Sequence, residues 1–247
     1  MEMRGMMGGF YKLSEWIMRL SVTNVLWLLT SIPFWFLVIV FLNASEVGQL
    51  QAVIIPLAVV APFTLFPATS AMFSVARKWV LGDTDVPLLK TFFRSYKQNY
   101  VQAMLGGIVY ALLFAILIID FQVYLKQMAG YQLLAYLFVA LMLLLLISLL
   151  HFFSLLSHFH MKTIQLLKNA LILTIGRPIR SLIMAIGAVA VLFISTRFTF
   201  LIPFFFGSMI AVYTFYNFNL VIQKMMLMKE AADEEKDSES DSEEVEK

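Results

Sequence analysis

Residues 131–156 read YQLLAYLFVALMLLLLISLLHFFSLL, without a single Asp, Glu, Lys or Arg. An α-helix rises about 1.5 Å per residue and the hydrocarbon core of a bilayer is about 30 Å thick, so about twenty apolar residues span it. Other stretches of this kind lie on both sides, which places expected spans near 22–42, 52–76, 101–120, 131–156, 179–196 and 198–222. The chain of 247 residues is 61% hydrophobic and 14% charged, with 23 Phe, far from the composition of a soluble domain.

The loops between these spans alternate in charge. Arg4, Lys12 and Arg19 precede the first span, and residues 43–51 hold no basic residue. Arg77, Lys78, Lys90, Arg94 and Lys97 fill the second connection, and the third holds Lys126 alone. Lys162, Lys168, Arg177 and Arg180 fill the fourth, the fifth holds only Arg197, and Lys224, Lys229, Lys236 and Lys247 follow the last span. Cytoplasmic loops carry the Lys and Arg excess, so the pattern predicts that both termini are cytoplasmic. An even number of spans satisfies that parity. The expected fold is an all-α, six-helix transmembrane bundle with short amphipathic interfacial helices.

The net charge of +2 conceals a division. Residues 230–247 hold ten acidic and two basic residues, leaving the rest of the chain strongly basic. Segments so charged and so poor in apolar residues do not build a packed core. The expected organisation is an N-terminal interfacial helix over 1–21, a six-span domain over 22–222 and a largely disordered acidic cytoplasmic tail over 223–247. No cysteine is present, which excludes disulfides and Cys-based metal or redox chemistry.

Two amphipathic segments are expected at the membrane surface. In residues 10–20, Phe10, Leu13, Trp16, Ile17 and Leu20 recur at helical spacing opposite Lys12, Glu15 and Arg19. In residues 86–98, Leu88, Leu89, Phe92, Phe93 and Tyr96 share one face, and Lys90, Arg94 and Lys97 the other. The basic face is a candidate cytoplasmic contact surface, with anionic lipid as the simplest partner.

Candidate functional groups inside the spans are few. Span 4 carries Ser148, His151, Ser154 and His158 on one helical face, which should turn into the protein because polar groups facing lipid are costly. Span 2 contains Pro56, Pro62 and Pro67, which predict a bend or break around Phe66–Ser70. Pro67, Thr69 and Ser70 together with the span 4 stripe form a candidate polar path. His151 and His158 are two turns apart rather than four residues, and no carboxylate lies near them in the sequence, so neither a metal site nor a cofactor is expected. Phosphate-gripping glycine loops, GxSxG and paired intramembrane carboxylates are absent, so no catalytic residues are assigned. The membrane explains the basic loops without nucleic acid. Ala103, Gly107, Ala111 and Ala115 form a small-residue row suited to close helix packing.

The stretches GGFYKLSEWIMRL (8–20) and FPATSAMFSVARKW (66–79), followed by Pro87, Thr91-Phe92-Phe93 and Tyr96-Lys97-Gln98-Asn99, resemble the YesL family of bacterial integral membrane proteins. That family has no established function. The resemblance implies a bacterial cytoplasmic membrane and a link with carbohydrate uptake and polysaccharide degradation. It supplies no catalytic residues. The leading expectation is a non-enzymatic accessory component of carbohydrate uptake, with membrane lipid and carbohydrate-transporter subunits as partners. A small transporter with a polar path between spans 2 and 4 is the first alternative. A membrane enzyme acting on a lipid or glycan carrier is the second. The sequence assigns no oligomeric state.

Overall fold

The computed structural model describes residues 6–126 and 132–245. Arg4, Tyr131 and Lys247, used in the reading above, lie outside them. The described residues form ten helices and no strand: α1 (Met6–Thr30), α2 (Ile32–Leu42), α3 (Val47–Phe63), α4 (Leu65–Val80), α5 (Leu88–Lys126), α6 (Gln132–His158), α7 (Thr163–Gly176), α8 (Pro178–Arg197), α9 (Leu201–Phe204) and α10 (Phe206–Val245). By length and composition α5, α6 and α8 can each cross a membrane, and the count rises to five if the bent pairs α1–α2 and α3–α4 are each one span. The chain is therefore a multi-pass membrane protein with three to five candidate spans among the described residues. The sixth expected span, 198–222, falls on α9 and the first half of α10, where Asn217 and Asn219 dilute the apolar character.

The bends have covalent causes. The pair α1–α2 turns by 82° at Ser31. Pro33 lies in the first turn of α2 and has no N–H for the α1 ladder. The hydroxyls of Thr30 and Ser31 donate back to the carbonyls of Leu26 and Trp27, at 2.8 Å and 2.5 Å. The sequence reading put the turn near residue 21. Instead α1 runs through that point unbroken, and Thr23, Asn24, Leu26 and Trp27 are buried in the protein.

The pair α3–α4 bends by 44° at Thr64, just before the expected Phe66–Ser70. The shift follows from backbone chemistry. Pro67 cannot donate to the Phe63 carbonyl four residues earlier, so the ladder opens there. The Tyr100 hydroxyl takes over that carbonyl at 3.1 Å. Pro67, Thr69 and Ser70 consequently sit inside the regular helix α4.

The helix α4 is the central element, packed against α1, α3, α5, α6 and α10. Eleven of its sixteen residues are buried. Phe66 and Phe73 meet Phe153 of α6 with ring centroids 5.3 Å and 5.5 Å apart, and Phe152 meets Tyr110 of α5 at 5.5 Å. Packing rather than water exclusion drives helix association in lipid, so small residues matter. At Gly107 of α5 an added Cβ would lie 2.8 Å from the Phe66 ring and 2.9 Å from the Pro62 Cα. Gly107 thus serves packing within the chain, against α3 and α4, and Ala103 is buried too, whereas Ala115 at the end of the small-residue row is exposed. Away from these contacts, α2 buries none of its residues and exposes Ile32, Phe36 and Ile39, a surface suited to lipid.

Residues 86–98 do not form a separate interfacial helix. Residues 88–98 are the first turns of α5, a single helix of 39 residues, about 58 Å long at about 1.5 Å per residue, and Val86 and Pro87 precede it. No proline interrupts it between Leu88 and Lys126. Such a helix outreaches a hydrocarbon core of about 30 Å, so part of it projects beyond the core. Phe92 is fully buried in the protein, while Phe93 is half exposed. At the other end of the chain, α10 continues through the acidic residues to Val245, and its side chains from Gln223 to Glu234 are exposed. Ala, Glu, Lys and Met are good helix formers, which supports an exposed helix there, and the Arg177 guanidinium donates to Met228 Sδ at 3.7 Å.

The two phenylalanines give a direct test. Phe92→Asp buries a carboxylate among apolar groups and is expected to abolish recovery of folded protein, whereas Phe93→Asp is expected to be tolerated. Size-exclusion profiles of fluorescent fusions in mild detergent measure this. Equal behaviour of the two variants would contradict the burial of Phe92.

Candidate polar stripe and cationic recess

The span 4 stripe faces inward. Ser148, His151 and Ser154 have no exposed surface, and His158, at the end of α6, is partly buried. The Tyr110 hydroxyl of α5 and the Ser148 hydroxyl are 2.8 Å apart. His151 Nε2 lies 3.0 Å from the Ser181 hydroxyl of α8. Ser181 also donates to the Leu173 carbonyl at 3.4 Å, which leaves its oxygen to accept from a protonated Nε2. Ser154 donates to the Leu150 carbonyl at 2.9 Å. The stripe therefore ties α6 to α5 and α8. Thr69 of α4 accepts from Trp27 Nε1 at 3.0 Å and donates to the Leu65 carbonyl at 2.7 Å. Ser70 is buried, and its hydroxyl has no protein partner among the described residues, as is true of His151 Nδ1 and Thr214 Oγ1.

The sequence reading missed Asn24. Its side chain is fully buried. Its amide nitrogen donates to the carbonyls of Ile202 and Pro203, at 3.0 Å and 2.7 Å. Its amide oxygen accepts from the backbone N–H groups of Gly207 and Ser208, at 2.8 Å and 3.1 Å. Carbonyls of α9 and first-turn N–H groups of α10 have no intrahelical partners, and one side chain supplies both kinds. A lone Asn inside an apolar run is the signal that could have found it, since it must be paired in a membrane.

The basic face resolves into a recess. It has a volume of about 490 Å³ and lies between α4, α5 and the turn after α6. Lys90, Thr91, Arg94, Ser95, Gln98, Asn99 and Gln102 form one stripe down α5 toward it, and Pro87 lines it just before the helix. Arg77, Lys78 and Ser74 of α4 supply the facing wall, and Ser157 and His160 a third side. Lys90 and Arg94 thus belong to it, whereas Lys97 is exposed outside it.

The α4–α5 connection explains how Arg77 and Lys78 come to face α5. Gly82 adopts φ 93°, a left-handed conformation that glycine enters without a Cβ penalty. The N–H of Gly82 bonds to the Trp79 carbonyl and that of Asp83 to the Lys78 carbonyl, at 3.1 Å and 2.9 Å. This double bond pattern caps α4 and reverses the chain. Asp83 also pairs with Lys78 at 3.1 Å. Beside the recess, Arg19 holds Glu15 and Asp85, the latter at 2.9 Å. Gln102 donates to the Met161 carbonyl at 2.7 Å, which fixes the floor against the α6–α7 turn.

The His151–Ser181 pair predicts a measurable coupling. A double-mutant cycle of His151→Ala and Ser181→Ala in detergent unfolding should give about 0.6 kcal/mol and no more than about 1.7 kcal/mol. Additive single effects would contradict the pairing.

The family model described as "Protein of unknown function, DUF624" matches residues 20–121, from α1 through most of α5. The uncharacterized protein YesL of Bacillus subtilis (strain 168) is 31% identical over 205 residues, covering 83% of this chain and 85% of that protein. The uncharacterized protein YteU of the same organism is 31% identical over 211 residues, covering 85% and 84%. Its uncharacterized protein YesV is 30% identical over 141 residues, covering 56% and 67%. No solved structure matches. The chain belongs to the YesL-like DUF624 family, a family of unknown function.

Proposed function

We propose that this protein is a non-enzymatic accessory component of carbohydrate uptake in the bacterial cytoplasmic membrane, with six spans and both termini inside. The charge of the connections supports the topology, because sixteen of eighteen Lys and Arg then lie in the cytoplasm. In that arrangement α9 and the first half of α10 form the sixth crossing. The link with carbohydrate uptake rests on the family resemblance alone.

The observation that carries the accessory reading is the contrast between the two polar regions. Ser148 and His151 of the span 4 stripe are buried and engaged in hydrogen bonds between helices, as packing requires. The basic groups Lys90, Arg94 and Lys97 are exposed on the cytoplasmic side of the proposed topology. Exposed cations on a rigid helix suit contact with an acidic surface of a transporter subunit. A second reading, a small transporter, draws support from the unpartnered buried atoms Ser70 Oγ, His151 Nδ1 and Thr214 Oγ1, which water or a polar substrate would satisfy. No comparable observation favours an enzyme.

Affinity purification of the full chain from native membranes tests the accessory reading. Carbohydrate-transporter subunits should co-purify with the wild type and be lost with Lys90→Glu/Lys97→Glu, while expression stays equal. Absence of such subunits from the wild-type sample would contradict it. Sugar flux in proteoliposomes of the pure protein, reduced by His151→Ala, would establish the transporter reading instead.

A further inference from the structure

We infer that the recess between α4, α5 and the α6–α7 turn is a binding site for a phosphate group, carried by a soluble phosphate ester or by a lipid headgroup. Arg77, Lys78, Lys90 and Arg94 converge on one space of about 490 Å³. Only Lys78 has a carboxylate partner among the described residues, Asp83. Like charges gathered around one space repel, and a bound anion offsets that cost.

The second observation is Arg77 itself. Its Nε is buried and has no protein hydrogen-bond partner among the described residues. Other buried side-chain atoms also lack a protein partner, but Arg77 is the cation among them that lines this recess, and its unpaired donor is open to a group that the protein does not supply. Guanidinium groups are suited to phosphate because their forked donors match two of its oxygens at once. Thr91, Ser95 and Gln98 add neutral hydrogen-bonding groups along the α5 wall. The volume lies within the range of small-ligand sites, so it has room for more than a bare phosphate ion.

The inference shares with the accessory reading only the cytoplasmic placement of this face. Its test uses purified protein without any partner, so the two readings fail separately. The full chain is purified in a neutral detergent and titrated with inorganic phosphate by calorimetry. In parallel, the chain in phosphatidylcholine nanodiscs is compared with nanodiscs containing phosphatidylglycerol, with thermal stability as the readout. Lys90→Gln/Arg94→Gln changes exposed residues and is expected to weaken phosphate binding about tenfold or more. Arg77→Gln should do the same. Lys97→Gln, on the same helix but outside the recess, should change it less than about twofold.

Phosphate binding lost in the recess variants, without a response to phosphatidylglycerol, identifies a soluble ester as the source. Stabilisation by phosphatidylglycerol that the recess variants lose, with no binding of free phosphate, identifies a lipid headgroup. No response to either probe, or equal losses in Lys97→Gln and the recess variants, would overturn the inference.

Discussion

The carboxamide of Asn24 is bonded on both of its faces to the backbone at the α9–α10 break, more than 170 residues away in the chain. Among the groups the break leaves without helical partners are two N–H groups at the start of α10 and two carbonyls of α9 that Asn24 reaches. In a bilayer each unsatisfied group costs several kcal/mol, so an unpaired break would not persist at membrane depth. One fully buried amide, with two donors and two acceptor positions, meets the demand. The contact also fixes α1 against α9 and α10. That fixing places Trp27 where its ring N–H reaches Thr69 of the central helix α4.

The same constraint governs the other bends. Pro33 and Pro67 each remove a donor from a helix ladder. At the first bend the hydroxyls of Thr30 and Ser31 bond to carbonyls within their own helix. At the second, Tyr100 reaches across from α5 to the Phe63 carbonyl. Each interruption is thus accompanied by a local or distant polar side chain, and the distant ones hold helices together. Around these fixed points the packing is tight: Phe152 fills the space at Gly106, and Phe66 that at Gly107, where any side chain would collide. The polar stripe of α6 acts in the same way, joining α6 to α5 and α8.

The membrane class of the protein was legible because long apolar runs leave few alternatives, and the inward face of Ser148, His151 and Ser154 followed from helical spacing and the cost of polar groups in lipid. The limits of that reading are equally physical. A proline acts on the carbonyl four residues before it, which moved the second bend from Phe66–Ser70 to Thr64. A four-residue rhythm of aromatic residues looks the same on an interfacial helix as on the buried start of a long one, and Phe92 proved to be the latter. The role of Asn24 depends on a partner that no local pattern reveals. The recess depends on Gly82, whose turn brings Arg77 and Lys78 over Lys90 and Arg94 although the sequence shows only a basic loop.

If Asn24 holds the first-turn N–H groups of α10, its removal must expose them to solvent exchange. Amide hydrogen exchange at Gly207 and Ser208, in wild type and Asn24→Ala, tests it most directly, with amides of α6 as the internal reference. First-turn N–H groups have no partner within their own helix, so their protection reports on Asn24. The account predicts slow exchange at both positions in the wild type and a rise of about tenfold or more in the variant, with α6 unchanged. Equal exchange at Gly207 and Ser208 in the two proteins would contradict it.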